Sequence, residues 1–381
     1  GCGVLFPWNS FISAPDYFTK IYGESAMMYF SVAYSVPNLL GLLVFTKFGG
    51  KIPLNFRVFP AYVVTLLILL SIPIIGYSNA ESTSGFIITI TFIVFCALCN
   101  CFLQSGIFGL ASMLPSMYVQ AVMVGAGLAG LLCSFLRIVT KLTIEQNRVH
   151  VSLMRMTHST ASYFIVCSII ILLCILSFIY VVRHPYCKYY INLSKKKQLE
   201  DGNNSNANSA SILTVFKKIW YLCLLVMLLF VVTISLFPGL ALGVRTWYSS
   251  TPMRYWLPIL MAASNNIFEF VGRTMPNWII AFNKKTIAIP VLLRVFFVPL
   301  FLFYYRPSLF GYNDYVYDAF PLFSIFLVSI SNGYLCSLLM MFAPQCVENN
   351  EKEIAGTMMT FFLLFGISIG SNMGLIFSFI V

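Results

Sequence analysis

Long apolar runs, separated by short clusters of charged and turn-forming residues, follow one another along the whole chain. Runs of about 17–25 apolar residues suit helices that cross a bilayer. On that template the pattern predicts spans over residues 1–18, 25–46, 56–77, 86–114, 119–140 and 160–182. A polar stretch follows, and then spans over 216–239, 255–282, 286–304, 317–342 and 354–380. The expected fold is an all-α polytopic membrane protein with about 11 transmembrane helices. The first run is already helix-like at Gly1, so the first helix is expected to be truncated.

The polar stretch carries Lys195, Lys196 and Lys197 and the Asn/Ser-rich run 203–211. It lacks apolar periodicity and reads as a flexible loop. It divides the chain into an N-terminal six-helix bundle over 1–182, a loop over 183–215 and a C-terminal five-helix bundle over 216–381.

Composition sharpens this picture. The 381 residues are 59% hydrophobic and only 9% charged, with a mean hydropathy of +0.87. A soluble domain carries about 25% charged residues, so this chain cannot cover itself with a wettable surface. The formal net charge of +11 would point to nucleic acid in a soluble protein. Here the basic residues cluster in loops, which points to membrane orientation and to no nucleic-acid partner. Lys47, Lys51, Arg57, the Lys195–Lys197 run, Lys217, Lys218, Lys284 and Lys285 fall on one side and outweigh the other. That side is expected to be cytosolic, together with the start of the chain and the central loop, leaving the C-terminus outside. The loop 141–159 opposes the rule with Lys141, Arg148 and Arg155. The 11 cysteines lie largely within apolar runs and read as small hydrophobes, with no metal or cofactor pattern among them.

Buried polar groups are the candidate chemistry. Of 12 acidic residues only Glu269 lies well inside a span. Such a group is costly there and is usually paired and functional. Arg273 stands four residues on, so both side chains share a helix face, with Asn266 close to it. A carboxylate beside a guanidinium can bind adjacent hydroxyls, as in a ribose; a structural ion pair between helices is the other reading. Asn100 and Gln104 form a second i, i+4 pair whose amides match the edge of a nucleobase or serve as interhelical glue. Gly125, Gly127 and Gly130 permit close helix approach. Arg137 and Arg294, nearer span ends, are expected to snorkel or to meet lipid head groups. Pro7 is expected to kink the first helix, and Trp8 beside it can stack on a planar ring or sit in an interfacial belt.

The segments carrying these residues resemble the equilibrative nucleoside transporters, solute carrier family 29. The resemblance begins with GCGVLFPWNSFISAPDYF over 1–18 and continues with LQSGIFGLASMLP over 103–115 and GLAG over 127–130. It extends through NIFEFVGR over 266–273, LRVFFVP over 293–299 and SNGY over 331–334. It implies a 6+5 two-bundle architecture like the major facilitator fold, and alternating-access transport of nucleosides, in some members of nucleobases. It also implies substrate-binding roles: Trp8 packing on the base with Leu5 and Ile367 near it, Gln104 bonding its edge, Glu269 and Arg273 holding the ribose, and Asn266 on the outer side. Ile12 and Pro238 match outer-gate positions, and Arg57 and Glu353 match cytosolic-end positions that pair when the inner side is shut. Two positions depart from the pattern. Glu269 stands where aspartate is common, moving the carboxylate by about 1.5 Å. Asn100 stands where glycine is usual.

The expected function is equilibrative transport by a functional monomer, in the plasma membrane rather than an organelle. Its partners are the small-molecule substrate and the lipid bilayer. Proton-coupled symport through Glu269 is the alternative, which the neighbouring Arg273 disfavours. A membrane enzyme is not expected, because His150, His158 and His184 lie in or beside loops without a catalytic pattern. A channel is not expected either, because the polar groups are too few to line a wet pore.

Overall fold

The computed structural model describes residues 1–23, 26–48, 54–78, 83–145, 152–191, 212–240, 251–304, 314–348 and 351–380. These residues are overwhelmingly helical, with no strand among them. In chain order the helices are α1 (Cys2–Ile12), α2 (Pro15–Tyr22), α3 (Ala26–Phe48), α4 (Leu54–Ser78), α5 (Thr83–Met113), α6 (Ser116–Thr140) and α7 (Leu153–Arg183). After them come α8 (Ile212–Ile234), α9 (Thr251–Thr274), α10 (Ala288–Leu293), α11 (Phe297–Tyr304), α12 (Asp314–Phe342) and α13 (Lys352–Ile380). Among the described residues, 8 helices are long and apolar enough to cross a membrane, with shorter apolar helices over Cys2–Ile12 and Ala288–Phe301. The low-complexity segment 192–211 lies outside the described residues.

Several expected spans are interrupted or cut short; that over 255–282 leaves α-helix at Thr274 for a 3-10 turn over Met275–Asn277. The first breaks between α1 and α2, at Ser13–Ala14, and not at Pro7. Helix α1 continues without interruption past the buried Pro7. Proline disfavours helical backbone in the residue before it, and Ala14, ahead of Pro15, sits at φ −115°, ψ 47°. Pro15 then opens α2, where its missing N–H costs nothing. Helix α2 ends at Gly23, whose φ of +91° only glycine adopts without strain. The span expected over 286–304 is divided into α10 and α11 by a 3-10 turn over Arg294–Phe296.

Burial separates lipid-facing helices from central ones. The most apolar 18-residue window of α7 has a mean hydropathy of 3.1 and is only 22% buried, whereas the corresponding window within Leu322–Cys346, at the end of α12, is less apolar, at 1.8, and 78% buried. Water would reverse that relation; in a bilayer the most apolar helix faces outward. One hydrophobic core draws only on α1 to α7, with Phe6, Phe11, Tyr62, Leu103 and Phe164 at its centre. A second joins α8, α12 and α13 to residues of α3, α5 and α6, such as Leu42, Phe108 and Met123. Helix α6 packs against α9 and α12, and α13 against α3 and α5, so these four seams carry most of the contact between the two halves.

Candidate functional site

Helix α9 presents Glu269 and Arg273 one turn apart. Arg273 Nη2 donates to Glu269 Oε1 at 2.5 Å, the contact that their spacing permits. Asn332 of α12 donates from Nδ2 to the same oxygen at 3.2 Å. Two glycines make that approach possible. A Cβ on Gly272 would strike the Ile330 carbonyl, and one on Gly333 would strike the Glu269 carbonyl. Backbone therefore meets backbone where α9 crosses α12, and Asn332 reaches the carboxylate.

Behind Asn332 lies Thr233 of α8, whose hydroxyl is 2.9 Å from Asn332 Oδ1. That hydroxyl accepts from Arg294 Nη2 at 2.6 Å. Arg294 also donates to the Val328 carbonyl at 2.9 Å and to the Ser331 hydroxyl. The expectation that Arg294 snorkels to lipid is thus wrong: it is 2% exposed and braces α10, α8 and α12 from within. The cause is a local supply of oxygen acceptors, which a buried guanidinium needs and a lone span does not reveal.

Helix α6 closes the site from the other half. Gln120 Nε2 donates to the Arg273 carbonyl, and Arg273 Nη1 donates to the Met123 carbonyl at 3.3 Å. A Cβ on Gly127 would stand 3.0 Å from Arg273 Cδ, so the arginine lies against bare helix. Asn266 donates to Ser134 of α6 at 2.7 Å, over Gly130. Its amide is turned to the seam between the halves.

On the far side of α6, Trp8 of α1 stacks on Tyr34 of α3, with ring centroids 4.1 Å apart and planes inclined by 14°. The Tyr34 hydroxyl lies beside Asn100 of α5. Asn100 and Gln104 are both buried; among the described residues Gln104 Oε1 has no hydrogen-bond partner and the Asn100 amide none beyond Tyr34. Leu5 and Trp8 pack against the first core and Ile367 against the second, so these expected base-side residues come from both halves. Ile12 ends α1, half-buried. The side chain of Pro238 lies outside the described residues; the preceding Phe237 leaves helical geometry at φ −127°, ψ 131°, as a residue before proline does. At one end of the molecule Arg57 of α4 and Glu353 of α13 stand 3.7 Å apart. Gly109 of α5 lies against Glu353 there.

A separate charged cluster was not foreseen. Arg137 of α6, 0% exposed, donates to Asp16 from Nε at 3.1 Å and to Ser159 from Nη1 at 3.0 Å. Its Nη2 reaches Asp16 Oδ2 and Glu145 Oε1, and Lys141 reaches Asp16 Oδ2 at 2.8 Å. Arg137 therefore neither snorkels nor faces lipid. Asp16 and Glu145 read as span-end acids in sequence, and only folding brings them to one guanidinium. Asn332, Thr233 and Tyr34 were missed for the same reason, although Asn332 sits in the SNGY segment.

Comparison with known proteins decides the family. The nucleoside transporter family model matches residues 87–380. The chain belongs to that family. Human equilibrative nucleoside transporter 1 is 28% identical over 444 aligned positions, which cover 100% of this chain and 95% of the human protein. Equilibrative nucleotide transporter 8 of Arabidopsis thaliana is 27% identical over 98% of this chain and 92% of its own length. Among solved structures, the proton:xylose symporter XylE of the major facilitator superfamily superposes with a TM-score of 0.60 at 11% identity, covering 99% of this chain and 92% of that one. The Escherichia coli fucose:proton symporter FucP gives 0.55 at 13% identity over 99% and 96%. These two likenesses show the fold alone, an all-helical architecture like that of the major facilitator proteins. The protein is an integral, multi-pass membrane transporter.

Proposed function

We propose that this protein carries nucleosides down their gradient by alternating access. The observation that carries the reading is the Glu269–Arg273–Asn332 cluster, a charged group buried where α9 and α12 meet α6 of the other half. The carboxylate accepts all its hydrogen bonds among the described residues on Oε1. Its other oxygen and Arg273 Nε, which has no partner among the described residues, can serve a ribose diol, one accepting and one donating. Trp8 supplies a flat ring for the base, and Gln104 supplies for its edge a carbonyl with no partner among the described residues.

Rocking of a bundle over 1–182 against one over 216–381 would expose the site to each side in turn. The Arg57–Glu353 pair supports reading this conformation as shut at the end that the loop charges assign to the cytosol. Ile12 and Pro238 would gate the opposite end. On this reading the monomer is sufficient, the plasma membrane is its site, and nucleobases are secondary substrates. Uptake of labelled adenosine into proteoliposomes, with and without a pH gradient, tests it. Saturable entry that stops at equilibrium in both cases is expected; accumulation above equilibrium on a proton gradient would replace uniport by symport.

A further inference from the structure

Helix α3 carries Tyr34, Asn38 and Gly41 at positions i, i+4 and i+7, on one face. Helix α5 answers with Asn100, Cys101 and Gln104. The two helices pack closely, since a Cβ on Gly41 would come 2.8 Å from Cys101 Sγ. Among the described residues, both amide atoms of Asn38 and Gln104 Oε1 lack hydrogen-bond partners, the Asn100 amide and the Tyr34 hydroxyl have no partner beyond each other, and Asn38 and Asn100 are 0% and 1% exposed. Buried polar groups are almost always paired, so this many unpaired on one seam points to something that completes them. Trp8, stacked on Tyr34, fixes a flat surface at the same place.

We infer that Asn100 is a specificity-determining residue that makes the carrier selective for purine over pyrimidine nucleosides. The inference rests on the nucleoside reading of the site. Asn100 and Gln104 lie one turn apart on one face of α5, so two amides are offered to one planar ligand. A purine carries polar atoms on two edges: N1 with its 6-substituent, and N7 on the imidazole side. It satisfies both amides. A pyrimidine carries polar atoms along C2 to C4 only; its C5–C6 edge is C–H and leaves one amide unpaired. An unpaired buried amide costs enough to discriminate by about tenfold or more. Tyr34 acts through Asn100: its hydroxyl lies beside the amide while its ring holds Trp8.

The test is competition between adenosine and uridine in proteoliposomes holding the full chain. In the unsubstituted protein uridine should have a kcat/KM at least about tenfold below that of adenosine. Asn100→Ala should close the gap to about twofold, chiefly by lowering the adenosine value, and Tyr34→Phe should move it the same way by less. A probe that needs no variant is 7-deazaadenosine, which lacks only N7 and should be carried about tenfold less well than adenosine. Equal handling of adenosine and 7-deazaadenosine, equal handling of adenosine and uridine, or an unchanged ratio in Asn100→Ala each overturns the inference and leaves the amides as interhelical glue. A protein that carries nucleosides without base preference loses this inference alone. One that carries none loses the proposed function as well.

Discussion

Two buried charge clusters, both centred on an arginine, behave differently. Around Arg137 the donors and acceptors are nearly saturated: Asp16, Glu145, Ser159 and Lys141 occupy one another, and only Glu145 Oε2 rests at ion-pair distance, 3.7 Å from Lys141. Around Arg273 the network is open. Its Nε has no partner among the described residues, and Glu269 keeps 19% of its side chain exposed. The first cluster ties α6 and the turn after it to α2 and α7 within one half; the second lies where the halves meet. Burial of charge alone therefore does not mark a binding site. On the proposed reading, unused hydrogen-bonding capacity where the two halves meet does.

Substitutions can break this contrast. Removing one member of a buried ion pair costs about 3–5 kcal/mol. At Glu269 that loss should fall on transport: Glu269→Gln should lower adenosine kcat/KM by about a hundredfold or more, measured as initial uptake. At Arg137 the same loss should fall on the fold. Arg137→Met should lower the thermal midpoint in detergent by several degrees, while adenosine KM in the surviving protein stays within about twofold. Adding Asp16→Asn should restore part of the midpoint, because it removes the charge left without a partner. If Arg137→Met instead abolished uptake with an unchanged midpoint, the two clusters would not differ in kind.

Smaller effects sharpen the comparison. Asn332→Ala removes one donor from the Glu269 carboxylate and should cost about tenfold in adenosine kcat/KM, with less effect on stability than Arg137→Met. Arg57→Ala opens a partly exposed pair with a 3.7 Å separation, worth about 1 kcal/mol or less. It should change the ratio of influx to efflux KM by a fewfold and leave the midpoint unmoved. No change in that ratio would remove the pair from the gate.

What the sequence made legible was local or compositional. The all-α membrane fold follows from runs of apolar residues, and the Glu269–Arg273 contact follows from four-residue spacing on one helix. The effect of a proline on its predecessor was not read at Pro15: the expected kink was placed at Pro7, while the helix is interrupted at Ala14, ahead of Pro15. Partners distant in sequence were illegible. Asn332 lies 63 residues from Glu269, and Asp16 lies 121 from Arg137. Hydropathy sees each of them as one polar residue in an apolar run, and only packing at glycines such as Gly272 and Gly333 says which neighbour it meets.

The central claim is that Glu269 and Arg273 hold the ribose of a carried nucleoside. Counterflow tests it most directly, in proteoliposomes preloaded with unlabelled adenosine and given labelled adenosine or labelled 2′,3′-dideoxyadenosine outside. The account predicts a transient overshoot of labelled adenosine that decays to equilibrium, and little or none for the dideoxy compound, whose hydroxyls are missing where the carboxylate and guanidinium would meet them. Equal overshoot for both compounds, or none for either, would contradict it.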